Sequence, residues 1–171
     1  MSVIEATRVQ VGTRSHAQWG AMVMDPESGH RPERHLPVGT VILLVDDDPL
    51  VQEAVGSMLA HLGLRPVLAG TGEEALALLS GGLDPRLVIL DMDMPGWGGA
   101  GTLPRLRALR PSLPVLISTG RMHGVIQDLI RDHPAVGLMP KPFDLEGLRR
   151  HLASALPEIP GAEGAGPLPT P

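Results

Sequence analysis

The sequence predicts an α/β fold with a parallel sheet at its centre. Two observations carry this. Apolar runs of strand length alternate with amphipathic stretches of helix length, and the runs Val41–Val45 and Leu87–Leu90 are unbroken Val, Ile and Leu. Such alternation is the sequence form of repeated strand–helix units. Strands without polar interruption are those covered on both faces, so these two are expected at the middle of the sheet.

Five strands are expected in order: Val41 to Val45, Arg65 to Ala69, Leu87 to Leu90, Val115 to Ser118 and Val136 to Met139. The first helix is the best marked. Asp48 is its N-cap and Pro49 its first residue, followed by Val51, Val55, Met58, Leu59 and Leu62 on one face and Gly63 as the stop. Thr71 with Glu74 three residues on reads as a capping box opening a second helix that ends at Gly81 and Gly82. A third helix is expected from about Gly99 to Leu109. A fourth, near Met122 to Arg131, would bury Val125, Ile126, Leu129 and Ile130, and a fifth from Asp144 would bury Leu145, Leu148, Leu152 and Leu156.

Outside these elements the patterning fades. Residues 1–39 combine scattered Arg and His with Pro26, Pro32 and Pro37, and are expected to be a mostly disordered leader. Residues 157–171 are Pro, Gly and Ala with few bulky apolar residues, and are expected to be a disordered tail. The folded domain is then 40–156. A length of 171 residues suits that single domain.

Composition excludes several functions. No Cys is present, which removes disulfides, thiolate metal sites and cysteine nucleophiles. The net charge of −5, with spread-out basic residues, argues against a nucleic-acid surface, and Arg105, Arg107 and Arg110 read as a solvated helix face. The seven histidines lack tight metal-ligand spacing. No apolar run is long enough to span a bilayer and no secretory signal opens the chain, so a cytoplasmic location is expected.

The chemistry-bearing residues fall at strand ends. Asp46, Asp47 and Asp48 follow the first strand and Asp91 follows the third. In open α/β sheets ligands bind at the carboxyl ends of strands, so these acids should meet at one rim. Like charges so close repel, which a hard divalent cation would relieve. Magnesium suits one or two carboxylates plus waters and a phosphoryl oxygen better than calcium, which wants a richer oxygen cage. Asp48 is accounted for as a helix cap. Asp93 can offer its backbone carbonyl. Ser118, Thr119 and Gly120 end the fourth strand with two hydroxyls and a residue that lets an oxyanion approach. Lys141, between Pro140 and Pro142, ends the fifth and can pair with a carboxylate or a phosphoryl oxygen. A cis bond at Pro142 is one conformation open to that segment.

These segments together resemble the response-regulator receiver domains: VDDDP at Val45 to Pro49, LDMDMPGWGG at Leu90 to Gly99, PVLISTG at Pro114 to Gly120 and KPF at Lys141 to Phe143. The resemblance runs through residues 40–156. It implies a doubly wound, flavodoxin-like sheet of order 2-1-3-4-5 with helices on both faces. It further implies that Asp91 is the phosphoacceptor, Asp47 a direct Mg2+ ligand and Asp46 an acid acting largely through water. The Asp93 carbonyl would be the third protein ligand, Thr119 the switch hydroxyl and Lys141 the phosphoryl-stabilising lysine. Many receivers carry Tyr or Phe three residues before that lysine. Here the position is Leu138, which has no ring to gate.

A haloacid-dehalogenase-type phosphatase would also use an Asp-x-Asp pair like Asp91 and Asp93. That pattern, however, places the pair at the first strand and an acidic pair after the lysine. A receiver-like adaptor without phosphorylation is the other rival, and the complete set of Asp46, Asp47, Asp91, Thr119 and Lys141 argues against it. The implied partner is a histidine kinase or histidine phosphotransfer protein, with possible homodimerisation through the fourth helix, fifth strand and fifth helix. No DNA-binding helix-turn-helix follows the fifth helix, so output by protein contact is expected. The wording PKPFDLEGL resembles receivers attached to hybrid kinases.

Overall fold

Five short runs pair side by side by exchanging main-chain hydrogen bonds, and the central ones also bury both of their faces. In a computed structural model, which describes residues 36–120, 130, 133 and 135–156, they are β1 (Val41–Val45), β2 (Arg65–Ala69), β3 (Leu87–Asp91), β4 (Val115–Thr119) and β5 (Val136–Pro140). Every pairing is parallel and the order is β2-β1-β3-β4-β5. β3 and β4 are buried along their whole length. β2 lies at an edge, where Pro66 removes no ladder bond that the sheet needs. The expected third, fourth and fifth strands each extend by one residue, to Asp91, Thr119 and Pro140. The ladder ignores side-chain polarity, so it continues past the last apolar residue.

Four helices occupy the described residues: α1 (Pro49–His61), α2 (Gly72–Ser80), α3 (Gly98–Leu109) and α4 (Leu145–Ala155). The expected helix near 122–131 falls almost wholly outside the described residues, as do the expectations for residues 1–35 and 157–171. Asp48 caps α1 by accepting from Leu50 N at 2.9 Å, and Gly63 ends it with φ +75°. Thr71 accepts from Glu74 N at 3.1 Å, whereas the Glu74 carboxylate reaches Gly70 N at 2.7 Å, one residue before the reciprocal partner of a standard box. Asp144 caps α4 through Gly147 N at 2.7 Å. No helix among the described residues is long and apolar enough to cross a membrane.

Strand alternation divides the core in two. Ile42, Leu44, Leu87, Ile89, Leu116 and Met139 pack with Val55 and Leu59 of α1 and Leu148 and Leu152 of α4. Leu43, Val45, Val88, Leu90, Val115 and Ile117 pack with Ala75 and Leu79 of α2 and Leu103 and Leu106 of α3. Each fully buried Leu or Ile here contributes about 1.5–3 kcal/mol.

Arg107 departs from the solvated face expected of it. It is buried, and its guanidinium donates to the carbonyls of Leu113 and, at 3.1 Å, Ala135. Those carbonyls lead into β4 and β5, and Ala135, with φ +57°, turns the chain where Arg107 holds it. Arg105 instead lies over the Trp97 ring, 4.3 Å from its centroid.

Candidate functional site

Main-chain bonds fix the backbone of every strand end that carries a polar residue. Asp46 N donates to Ala69 O at 3.1 Å, Met92 N to Ser118 O at 3.2 Å and Lys141 N to Thr119 O at 2.8 Å. The ladders therefore run up to the site itself.

On the face shared with α1 and α4, alternation places Asp46 two residues past Leu44, Asp91 two past Ile89 and Lys141 two past Met139. Their side chains meet. Lys141 Nζ is 2.7 Å from Asp91 Oδ1 and 3.0 Å from Asp46 Oδ2. Asp46 and Asp91 are buried, and Lys141 is partly exposed. Burial alone would pull the Lys141 ammonium below its usual pKa. Hydrogen bonds and charge from Asp91 and Asp46 outweigh that, and the net direction is upward.

The remaining carboxylate oxygens are also oriented. Asp46 Oδ1 accepts from Asp48 N at 3.0 Å, and Asp91 Oδ2 accepts from Asp93 N at 3.0 Å. Asp47 is exposed, yet it offers an oxygen that lies, with one each from Asp46 and Asp91, within a mutual 4.8 Å. An octahedral Mg2+ spans about 4.2 Å between opposite ligands, so a small closure would let these oxygens share one ion. All three donors are hard oxygens, and the exposed side of Asp47 leaves room for water. The set fits magnesium.

The other expected residues sit as follows. The Asp93 side chain is exposed. Thr119 is buried at the last position of β4, on the parity of Ile117, which packs against α2 and α3. Leu138 of β5 pairs with Ile117 of β4 and packs against the α2–α3 layer. The Lys141–Pro142 bond is cis.

Two residues were not legible as contributors. Gln52 of α1 donates through Nε2 to Asp46 O at 2.6 Å and Ala69 O at 3.2 Å, tying the ends of β1 and β2 to the helix. A lone Gln one turn into a helix gives no signal in sequence. Gly99, the second residue of α3, lies so close to β3 that an added Cβ would collide with Asp91 O and lie 2.8 Å from Met92 Cα. The Gly98-Gly99 pair was visible, but not the contact that requires it.

Comparison with known proteins points one way. Residues 42–153 match the family described as response regulator receiver domain. The transcriptional activator protein ExaE of Pseudomonas putida is 39% identical over 119 residues, 66% of this chain and 55% of that protein. The chain spans about a quarter to a little over half of the length of the curated relatives it matches. Among solved structures, the Vibrio cholerae chemotaxis protein CheY4 aligns with a TM-score of 0.64 at 26% identity, covering 69% of this chain and 99% of that one. The Thermotoga maritima response regulator TrrA, in complex with Mg(2+)-BeF, aligns with a TM-score of 0.60 at 27% identity, covering 68% and 99%. A parallel sheet of this order, with an acidic cluster and a lysine at its carboxyl rim, is what that family would require, and the chain belongs to the response regulator receiver domains of two-component signalling.

Proposed function

We propose that Asp91 is the phosphoacceptor, taking a phosphoryl group from a phosphohistidine of a histidine kinase or histidine phosphotransfer protein. The observation that supports this best is the position of its carboxylate, buried at the end of β3 with Oδ1 2.7 Å from Lys141 Nζ and Oδ2 held by Asp93 N. An oriented carboxylate is a competent nucleophile. A carboxylate oxygen forms a bond to phosphorus, the phosphorus–nitrogen bond breaks, and its electron pair stays on the imidazole. Lys141 then pairs with the phosphoryl oxygens in place of the carboxylate, and Thr119 supplies a hydroxyl to the same group.

Asp46, Asp47, Asp91 and the Asp93 carbonyl would hold Mg2+, which when bound neutralises charge on the transferring phosphoryl oxygens. The likeness to TrrA, whose structure carries Mg(2+)-BeF, supports that ligand class. The domain spans residues 40–156, acts in the cytoplasm, and assists its own phosphorylation and dephosphorylation rather than turning over a separate substrate.

For output we favour contact with another protein, through a surface formed by the segment after β4, β5 and α4, with a second copy of the chain as one partner. The net charge of −5 supports this over nucleic-acid binding. ExaE is by name a transcriptional activator, so DNA binding by the full-length protein is the outcome that would overturn this choice. With Leu138 at the position of the gating ring, the switch works by repacking of aliphatic side chains. Treatment with acetyl phosphate and Mg2+, read on a phosphate-specific gel, tests the assignment. Wild type shifts and Asp91→Asn does not; an Asp91→Asn protein labelled as fast as wild type would refute it.

A further inference from the structure

Among the described residues, the buried side-chain polar atoms without a hydrogen-bond partner are Arg107 Nε and Ser118 Oγ. The first belongs to a guanidinium whose other nitrogens are bonded to carbonyls. The second is the only polar group of its side chain, and Ser118 is 2% exposed. Leaving a buried hydroxyl unpaired costs stability, so its retention calls for a reason.

Its neighbours supply one. Asp91 pairs in register with Ser118, and Ser118 with Met139. Alternation puts Ser118 on the face of Leu116, the face that carries Ile89, Asp91 and Met139. Adjacent strands lie about 4.8 Å apart, so the Ser118 and Asp91 side chains stand next to each other in one row. On the other side of Ser118 is the thioether of Met139, a weak acceptor. Lys141, two residues past Met139 and just beyond β5, must span the end of β4 to reach Asp91 on β3. Register thus assigns the serine a place beneath the lysine arm and beside the carboxylate, while Asp91 Oδ1 is taken by Lys141 and Oδ2 by Asp93 N.

We infer that Ser118 is a positioning residue for Asp91, a reserve hydrogen-bond donor that engages the carboxyl group when phosphorylation draws Lys141 away, and that it thereby shortens the life of the phosphorylated state. This rests on Asp91 being the phosphoacceptor. On phosphorylation the negative charge moves from the carboxylate to the phosphoryl oxygens, and the ammonium follows it. The carboxyl oxygen left behind is a neutral acceptor, which suits a hydroxyl donor. In hydrolysis a water oxygen bonds to phosphorus, the bond from phosphorus to the Asp91 oxygen breaks, and its electron pair returns to the carboxylate. The water proton leaves with inorganic phosphate. A donor on the carboxyl group lowers the basicity of that leaving group and speeds the step.

The test uses the full chain, phosphorylated with acetyl phosphate and Mg2+, freed of donor by rapid desalting, and followed by phosphate-specific gel. Ser118→Ala should decay roughly 3- to 10-fold more slowly than wild type, the effect of about one neutral hydrogen bond. Ser118→Cys, a weaker donor of similar shape, should fall between them. Urea unfolding of unphosphorylated Ser118→Ala should show stability equal to or above wild type, because an unpaired hydroxyl has gone. A purely structural serine would, when replaced by Ala, lower the unfolding midpoint and leave the decay rate alone. Decay of Ser118→Ala at or above the wild-type rate overturns the inference while leaving Asp91 as phosphoacceptor. A wild-type protein that takes no phosphate blocked by Asp91→Asn overturns both.

Discussion

Replacing Lys141 by Met keeps the unbranched apolar stem, one atom shorter, and removes its charge. The ammonium sits 2.7 Å from Asp91 Oδ1 and 3.0 Å from Asp46 Oδ2, and those carboxylates are only 6% and 4% exposed in their side chains. Truncating one partner of a buried pair costs about 3–5 kcal/mol. Lys141 is 28% exposed, so solvent screening trims the figure to roughly 2–3 kcal/mol. The pair raises the Lys141 pKa, so its contribution is complete below the unfolded value of about 10.4 and is lost as pH rises through the folded one. Urea unfolding at neutral pH in EDTA therefore reads the whole effect. Losing a positive neighbour should also tighten Mg2+ binding several-fold, so that added Mg2+ stabilises the variant more than wild type. Fluorescence of exposed Trp97, in the turn after Asp91, can follow the titration. A variant as stable as wild type in EDTA, with an unchanged Mg2+ response, would refute the reasoning.

Gly99→Ala should destabilise by about 3 kcal/mol and slow phosphorylation together, because the new methyl group displaces the backbone under Asp91; unfolding and labelling rates measured on one preparation would separate the two. Arg107→Lys should cost about 1–3 kcal/mol in thermal or urea unfolding, since an ammonium cannot reproduce the fork joining the Leu113 and Ala135 carbonyls, and no loss would mean that this bridge is idle. Burial, helped by the charge of Arg150, lowers the His151 pKa. The unfolded chain then takes the proton more readily, so stability present above about pH 6.5 declines as pH falls through that value toward the folded pKa. His151→Gln should flatten this part of the stability–pH curve, and an unaltered slope would assign it to another group.

Much of the fold was legible because local and long-range signals agree. Val41–Val45 is apolar at every position, and a strand buried on both faces needs that. Asp48 followed by Pro49 marks a helix start by capping chemistry that acts over two residues. Arg107 was misread because its burial depends on carbonyls from residues 113 and 135, which only the tertiary fold brings to α3. Gln52 escaped notice for a similar reason: its partners are carbonyls left over at two strand ends. Among the site residues, Asp46, Asp91 and Lys141 come from three strands yet were readable as a group, since parallel strands deliver their carboxyl ends to one rim. The idle hydroxyl of Ser118 was not readable, because a missing bond leaves no pattern in a sequence.

On the proposed function, the parity of the strands makes the sheet a partition, with the phosphoacceptor on one side and the switch positions on the other. Asp46, Asp91 and Lys141 share the parity of the strand residues packed on α1 and α4, whereas Thr119 shares that of Ile117, which packs with Leu138 on α2 and α3. On the proposed function, a phosphoryl group on Asp91 would act on the other layer around the rim, where β4 ends. If Thr119 swings over that rim, it vacates volume beside Ile117 and Leu138, and aliphatic neighbours must flow into it. Information would then cross the sheet as displaced volume, carried by side chains that never touch the phosphate.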